Sequence, residues 1–163
     1  MKKSSQQKLN IKDNYDIVIV GASSSGAYFA RKMAEQGASV LVIEKASRES
    51  LSTGYDIFHI AEADIEKHGL PKAEPGDGIW SFAFADMVHY SPYHHAPKPY
   101  SVPTVGMHKH PYMLKLDDWA EEAGATILFE APFKEVLTKG KTVTGVTFTY
   151  QGQTHTVHAK LVV

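Results

Sequence analysis

Two stretches, residues 15–26 and 39–44, constrain this chain more than any others, because together they read as strand, tight turn, helix, strand and acid. Residues 16–20 form a short β-branched run that suits an inner parallel strand buried on both faces. Gly21 permits a sharp turn out of that strand, and Gly26 removes a side chain where the next helix must lie close to the sheet. The backbone N–H groups that open this helix, with its dipole, make a site for the pyrophosphate of a dinucleotide. Glu44 ends the second strand at the spacing where a carboxylate binds ribose hydroxyls. The middle glycine of the G-x-G-x-x-G pattern is Ser23 here, whose hydroxymethyl group either crowds the phosphate or donates to it. The competing reading is a buried βαβ unit in which Ser23, Ser24 and Ser25 only cap the helix.

Composition sets the limits around that feature. A chain of 163 residues is one domain by length, with enough apolar content for a core. The net charge is −1 with acids and bases interspersed, so no nucleic-acid footprint is visible. Without cysteine there are no disulfides or thiolate metal sites, and the expected location is the reducing cytoplasm. Residues 1–13 are polar and Lys-rich and read as a disordered tail, not as a signal peptide. No segment is long or apolar enough to cross a membrane, which leaves peripheral contact as the only membrane association to expect.

The rest, residues 14–163, divides into three parts. The βαβ start carries Ala27, Ala30, Met33 and Ala34 on one helical face, with Gly37 as the C-terminal stop. Residues 46–111 are the least regular part, dense in proline, histidine and aromatic residues. A helix at 61–68 and strands at 82–90 and leading into 105–109 are the elements expected there. Long segments of this kind inside a compact chain shape a binding site, so 46–111 is expected to border the active site. Helical rhythm returns at 112–123, followed by a third parallel strand at 125–129. Strand-like pieces at 133–137, 142–150 and 154–159 then make a small β-meander, and 161–163 reads as the start of another buried strand.

The histidines offer two pairs, His94-His95 and His108-x-His110, with Asp86 or Asp56 as added carboxylates. Neither pair has the four-residue spacing of a helical metal site, so no metal is expected. One histidine among His59, His94 and His108 is a better candidate for a proton donor beside a bound cofactor.

The meander separates the cofactors. A dehydrogenase that binds NAD continues after its third strand with another helical crossover; here a β-meander returns to an apolar strand. The quoted start, Glu44-Lys45, the segment 109–116 leading into Ala120-Glu-Glu-Ala-Gly-Ala125, and Thr144-Gly-Val146 followed by residues 159–163 are similar to the geranylgeranyl-reductase-like flavoproteins, which belong with the aromatic hydroxylases and flavin halogenases. The resemblance implies an α/β, Rossmann-like FAD-binding fold of the glutathione-reductase type: a parallel sheet with a β-meander crossover. It implies that Gly21, Ala22, Ser23, Ser24, Ser25 and Gly26 wrap the pyrophosphate, that Glu44 binds the adenosine ribose, and that Lys45 borders the adenine. Lys109 stands where the family has an arginine, and the backbone of Val136 is expected at the adenine edge. The family pattern continues past the point where this sequence stops, so the chain is expected to be the truncated N-terminal, FAD-binding part of a longer protein. The implied activity is FAD-dependent reduction or hydroxylation of a small apolar or aromatic substrate, with NAD(P)H as a candidate reductant. The alternatives are an NAD(P)-linked dehydrogenase and a non-catalytic nucleotide-binding module.

Overall fold

A computed structural model describes residues 11–54, 57–89, 93 and 98–163. Strand β1 (Asn14–Val20), helix α1 (Ser24–Glu35) and strand β2 (Val40–Ile43) form the βαβ start. All four residues of β2 are buried, as its continuous apolar run requires. Strand β3 (Ile57–Ala61), helix α2 (Glu62–His68), β4 (Trp80–His89) and β5 (Lys98–His108) follow, then α3 (Lys109–Glu122), β6 (Thr126–Leu128), β7 (Phe133–Lys139), β8 (Thr142–Tyr150) and β9 (Gln153–Val162).

The larger sheet has the order β6-β2-β1-β9-β8-β7. Its first four strands run parallel, in the Rossmann order third, second, first, fourth; β8 and β7 extend the sheet antiparallel. Strand alternation sends Ile17, Ile19, Val40 and Val42 to one face, where Ala30 and Ala34 of α1 and Ala120 of α3 cover them. Val18, Leu41, Ile43 and Leu128 point to the other face and cluster with Val146, Phe148 and Val157. Residues of β8 and β9 thus share the second core, and β2 with residues 17–19 of β1 is buried on both faces.

Two expectations change here. The sequence suggests separate strands at 154–159 and 161–163, but β9 is one strand that changes partner midway. His158 pairs with Gly145 of β8 and with Asn14 of β1, and Ala159–Val162 continue beside β1. Ala159 and Val162 pack on the second core, while Leu161 and Val163 are about half exposed. The tail is also shorter at its inner end: Ile11 packs on the second core, and the Asp13 carbonyl accepts the His158 N–H at 2.9 Å. Residues 1–10 lie outside the described residues.

Gly145 marks the closest approach of β8 and β9. A Cβ there would sit well under 3.0 Å from the Val157 carbonyl oxygen and 2.9 Å from the His158 Cα, both backbone atoms that cannot give way cheaply. Gly145→Ala is expected to destabilise the fold by about 1–3 kcal/mol, read as a lower urea midpoint at unchanged slope.

The 46–111 stretch is more regular than its sequence suggests. It holds α2 and a three-stranded antiparallel sheet in the order β3-β5-β4. Pro99 and Pro103 hide β5 from a sequence reading, since proline rarely sits in a central strand. They are tolerated because β3 pairs only with residues 104–108 of β5, so at both prolines β5 is an edge.

Candidate functional site

The candidate site lies at the carboxyl ends of β1 and β2, where the βαβ turn and Glu44 meet. Gly21 leaves β1 with φ of +112°, a conformation that side-chain-bearing residues rarely adopt, and its N–H donates to the Ile43 carbonyl at 2.9 Å. Ser23 is the N-cap of α1, with φ of −80° and ψ of 178°. This is ordinary extended backbone, so the serine in place of the usual glycine carries no strain. Its side chain makes no capping hydrogen bond, and the first turn of α1 contains no acid. The positive end of the helix is left without a side chain that would neutralise it. Gly26 lies against the turn itself: a Cβ there would fall well under 3.0 Å from the Gly21 carbonyl oxygen.

Glu44 is buried and holds the turn in place. One carboxylate oxygen accepts the Ala22 N–H at 3.0 Å and the other accepts the Ala46 N–H at 2.7 Å. Its own N–H donates to Leu128 at 2.8 Å, and its carbonyl accepts from Ala131 at 2.7 Å. Each carboxylate oxygen keeps acceptor capacity beyond that single backbone donor. Lys45 follows on the exposed surface.

The structure thus brings together Gly21, Ala22, Ser23, Ser24, Ser25, Gly26 and Glu44. Lys109 opens α3, whose next residue, His110, uses Nδ1 to contact the Leu51 carbonyl at 2.6 Å in the loop after β2. Val136 is not joined to the site. It is exposed on β7 and pairs with Val146, whereas the segment hydrogen-bonded to Glu44 and Ala46 is Glu130-Ala131. The reason is geometric: β7 begins at Phe133, and five residues of strand from Ala131 span about 16 Å.

Of the histidines, His108 is the exposed N-cap of α3, and Asp86 is exposed on β4. His94, His95 and Asp56 lie outside the described residues. His59 sits on β3 with its ring 5.4 Å from Phe82 and 5.9 Å from Phe84. It also borders a cavity of about 380 Å³ against the start of α1. Ser24, Ser25 and Tyr28 form the α1 side of that cavity, and His68, at the end of α2, stands across from them. The Tyr28 hydroxyl lies 3.5 Å from His68 Nδ1.

Sequence reasoning missed Tyr28 and His68, because an aromatic residue and a terminal histidine on two separate helices carry no shared spacing. It also missed Asp117, which lies fully buried on α3 with neither carboxylate oxygen hydrogen-bonded. Burial pushes the Asp117 carboxyl up to about 8; nearby Arg48 opposes the shift, while Glu121, Asp118 and Glu44 add to it. A signal was present: Asp117 is four residues after Met113 and three before Ala120, on the buried face.

The model of the FAD dependent oxidoreductase family matches residues 16–163. The chain is 30% identical over 158 residues to digeranylgeranylglycerophospholipid reductase 2 of Methanopyrus kandleri; the match covers 91% of this chain and 36% of that protein. Among solved structures, a geranylgeranyl bacteriochlorophyll reductase-like protein from Thermoplasma acidophilum superposes with a TM-score of 0.78 at 20% identity, covering 92% of this chain and 38% of the other. A myxobacterial chondrochloren halogenase superposes at 0.75 with 16% identity, covering 93% and 37%. The last two show a common fold. The chain spans a little over a third of the length of each of these proteins. Among the described residues, no helix is long and apolar enough to cross a membrane.

Proposed function

The chain belongs to the FAD-dependent oxidoreductase family, and on that premise we propose that it holds the adenosine diphosphate half of FAD in a flavoenzyme that reduces an unsaturated apolar substrate. The observation that carries the nucleotide site is the turn 21–26 clipped to the Glu44 carboxylate, in front of a helix with no side-chain cap. These residues fit the group. The N–H groups at the start of α1 face the pyrophosphate, Gly26 keeps the turn tight, and Glu44 retains lone pairs for the ribose hydroxyls. Lys45 borders the adenine, and Lys109 contributes a positive charge from α3. Lysine does so as a point charge, without the two-pronged geometry of the arginine that the family places there. The adenine edge falls to the backbone after β6, near Ala131, in preference to Val136.

When bound, flavin supplies the hydride chemistry. The protein's part is to bind, orient and keep water out. His59 is proposed as the proton donor to the second carbon of the reduced bond, because it borders the cavity beside α1 and His108 does not. Reduction is favoured over hydroxylation by the relative with 30% identity, whose name is that of a reductase. NAD(P)H is proposed as the source of electrons.

The test is FAD titration of the full-length protein and of Glu44→Ala. Hydrogen bonds to a carboxylate are worth about 1.5–3 kcal/mol each, so Glu44→Ala is expected to weaken FAD by roughly one to three orders of magnitude. Removing the acceptors of Ala22 and Ala46 should also lower thermal stability. Wild-type protein that purifies colourless and takes up NAD but not FAD overturns the proposal.

A further inference from the structure

The cavity of about 380 Å³ beside α1 is walled by elements far apart in sequence. Phe58 and Ile60 come from β3, Leu70 from the residue pair after α2, and Tyr112 and Leu116 from α3. The wall is preformed. Tyr112 is fully buried, its hydroxyl donates to the Pro71 carbonyl at 3.2 Å, and its ring stacks on Phe58 at 6.0 Å. With that hydroxyl engaged by Pro71, the lining from β3, α3 and Leu70 is mainly apolar. Its polar fixtures are few: Ser24 and Ser25, His59, and the Tyr28–His68 pair. An apolar chamber with a few convergent polar groups is the usual form of a small-molecule site.

We propose that this cavity takes a compact apolar part of the substrate, a branched or ring group of roughly a dozen heavy atoms, and holds it beside the cofactor bound at the turn 21–26. The size follows from the volume, at about 30 Å³ for each water-sized atom. The location follows from Ser24 and Ser25, which belong both to the cavity wall and to the first turn of α1. Most of the wall comes from β3, α2 and residues 112–116 of α3, which lie outside the βαβ turn that holds the nucleotide. This gives the 46–111 stretch a purpose in substrate binding. The proposal rests on the flavoprotein reading above, but its test separates the two.

The probe is 2-naphthol, a bicyclic of matching size with one hydroxyl, titrated by its fluorescence into FAD-loaded full-length protein. Saturable binding is expected. Leu70→Trp, which fills the cavity from its partly exposed side, should weaken 2-naphthol at least tenfold while the FAD content stays that of wild type. Ile60→Phe is the second variant, for use where circular dichroism shows that Leu70→Trp has not folded. No saturable binding to wild type, or unchanged binding by a folded variant, overturns the proposal. Loss of FAD by a folded cavity variant overturns it too, since the cavity would then belong to the cofactor. Failure of the wild type to hold FAD is seen separately, in the flavin absorbance before any probe is added.

Discussion

Gly26→Ala is expected to abolish useful FAD binding, with an affinity loss of at least a hundredfold, about 2.7 kcal/mol or more. The added methyl would be built into the Gly21 carbonyl, which is backbone and is fixed from the other side by the Gly21 N–H to Ile43 hydrogen bond. Relief requires α1 to move off the sheet or the turn to open. Either movement takes the helix N–H groups away from the pyrophosphate and breaks the Ala22 contact to Glu44. Part of the cost falls on the fold itself, so a lower melting temperature is expected without FAD as well. Ser23→Gly is the contrast. Ser23 already sits in an extended conformation open to any residue, and its hydroxyl caps nothing. The affinity of that variant should stay within about threefold of wild type, the usual scale of removing a surface hydroxyl. FAD titration of both variants, with melts in the absence of FAD, checks the pair. A Gly26→Ala protein that binds FAD normally would mean that the phosphate is held elsewhere.

The contrast between those two residues also shows what a sequence makes legible. The βαβ unit is local: a buried run, a turn that needs glycine, a helix and an acid follow one another within thirty residues, and each is dictated by its own chemistry. The parallel order and the meander follow nearly as directly. What is hidden depends on partners distant in the chain. Strand β5 contains two prolines that argue against a central strand, and only knowing where β3 stops explains them. In β9, one strand serves two different neighbours in turn, and the apolar Leu161 and Val163 at its end stay about half exposed. At the site, Glu44 and the glycines are readable because their spacing is short. The cavity is not, because its wall is assembled from three helices and a strand that share no local pattern. The segment beside Glu44 is hidden for a related reason: residues 130–136 all look alike as an approach to a strand, and only the hydrogen bonds from Glu130 and Ala131 pick out which of them meets the Glu44–Ala46 segment.

Asp117→Asn is expected to stabilise the protein, and more so as the pH rises. In the folded protein the Asp117 carboxyl is pushed up to about 8, chiefly by burial, against about 3.9 for an unfolded chain. Between about pH 4 and pH 8 the folded state therefore keeps a proton that the unfolded state has released. Stability contributed by this group falls as pH increases through that window and is full only below it. A gap of about four units is worth on the order of 5 kcal/mol at its upper limit, and partial hydration of the charged form reduces this to a few. Asparagine copies the shape of the neutral acid and cannot ionise. The variant should match wild type near pH 4 and exceed it by about 2–4 kcal/mol at pH 8, read from urea midpoints at the two values. Arg48 does not alter the sign. Its guanidinium pairs with Asp118 and Glu121 on the surface and leaves both Asp117 oxygens without a hydrogen bond. An equal effect of the substitution at both pH values would show that Asp117 is already ionised in the fold, with a hydrogen-bonding partner close enough to hold its charge.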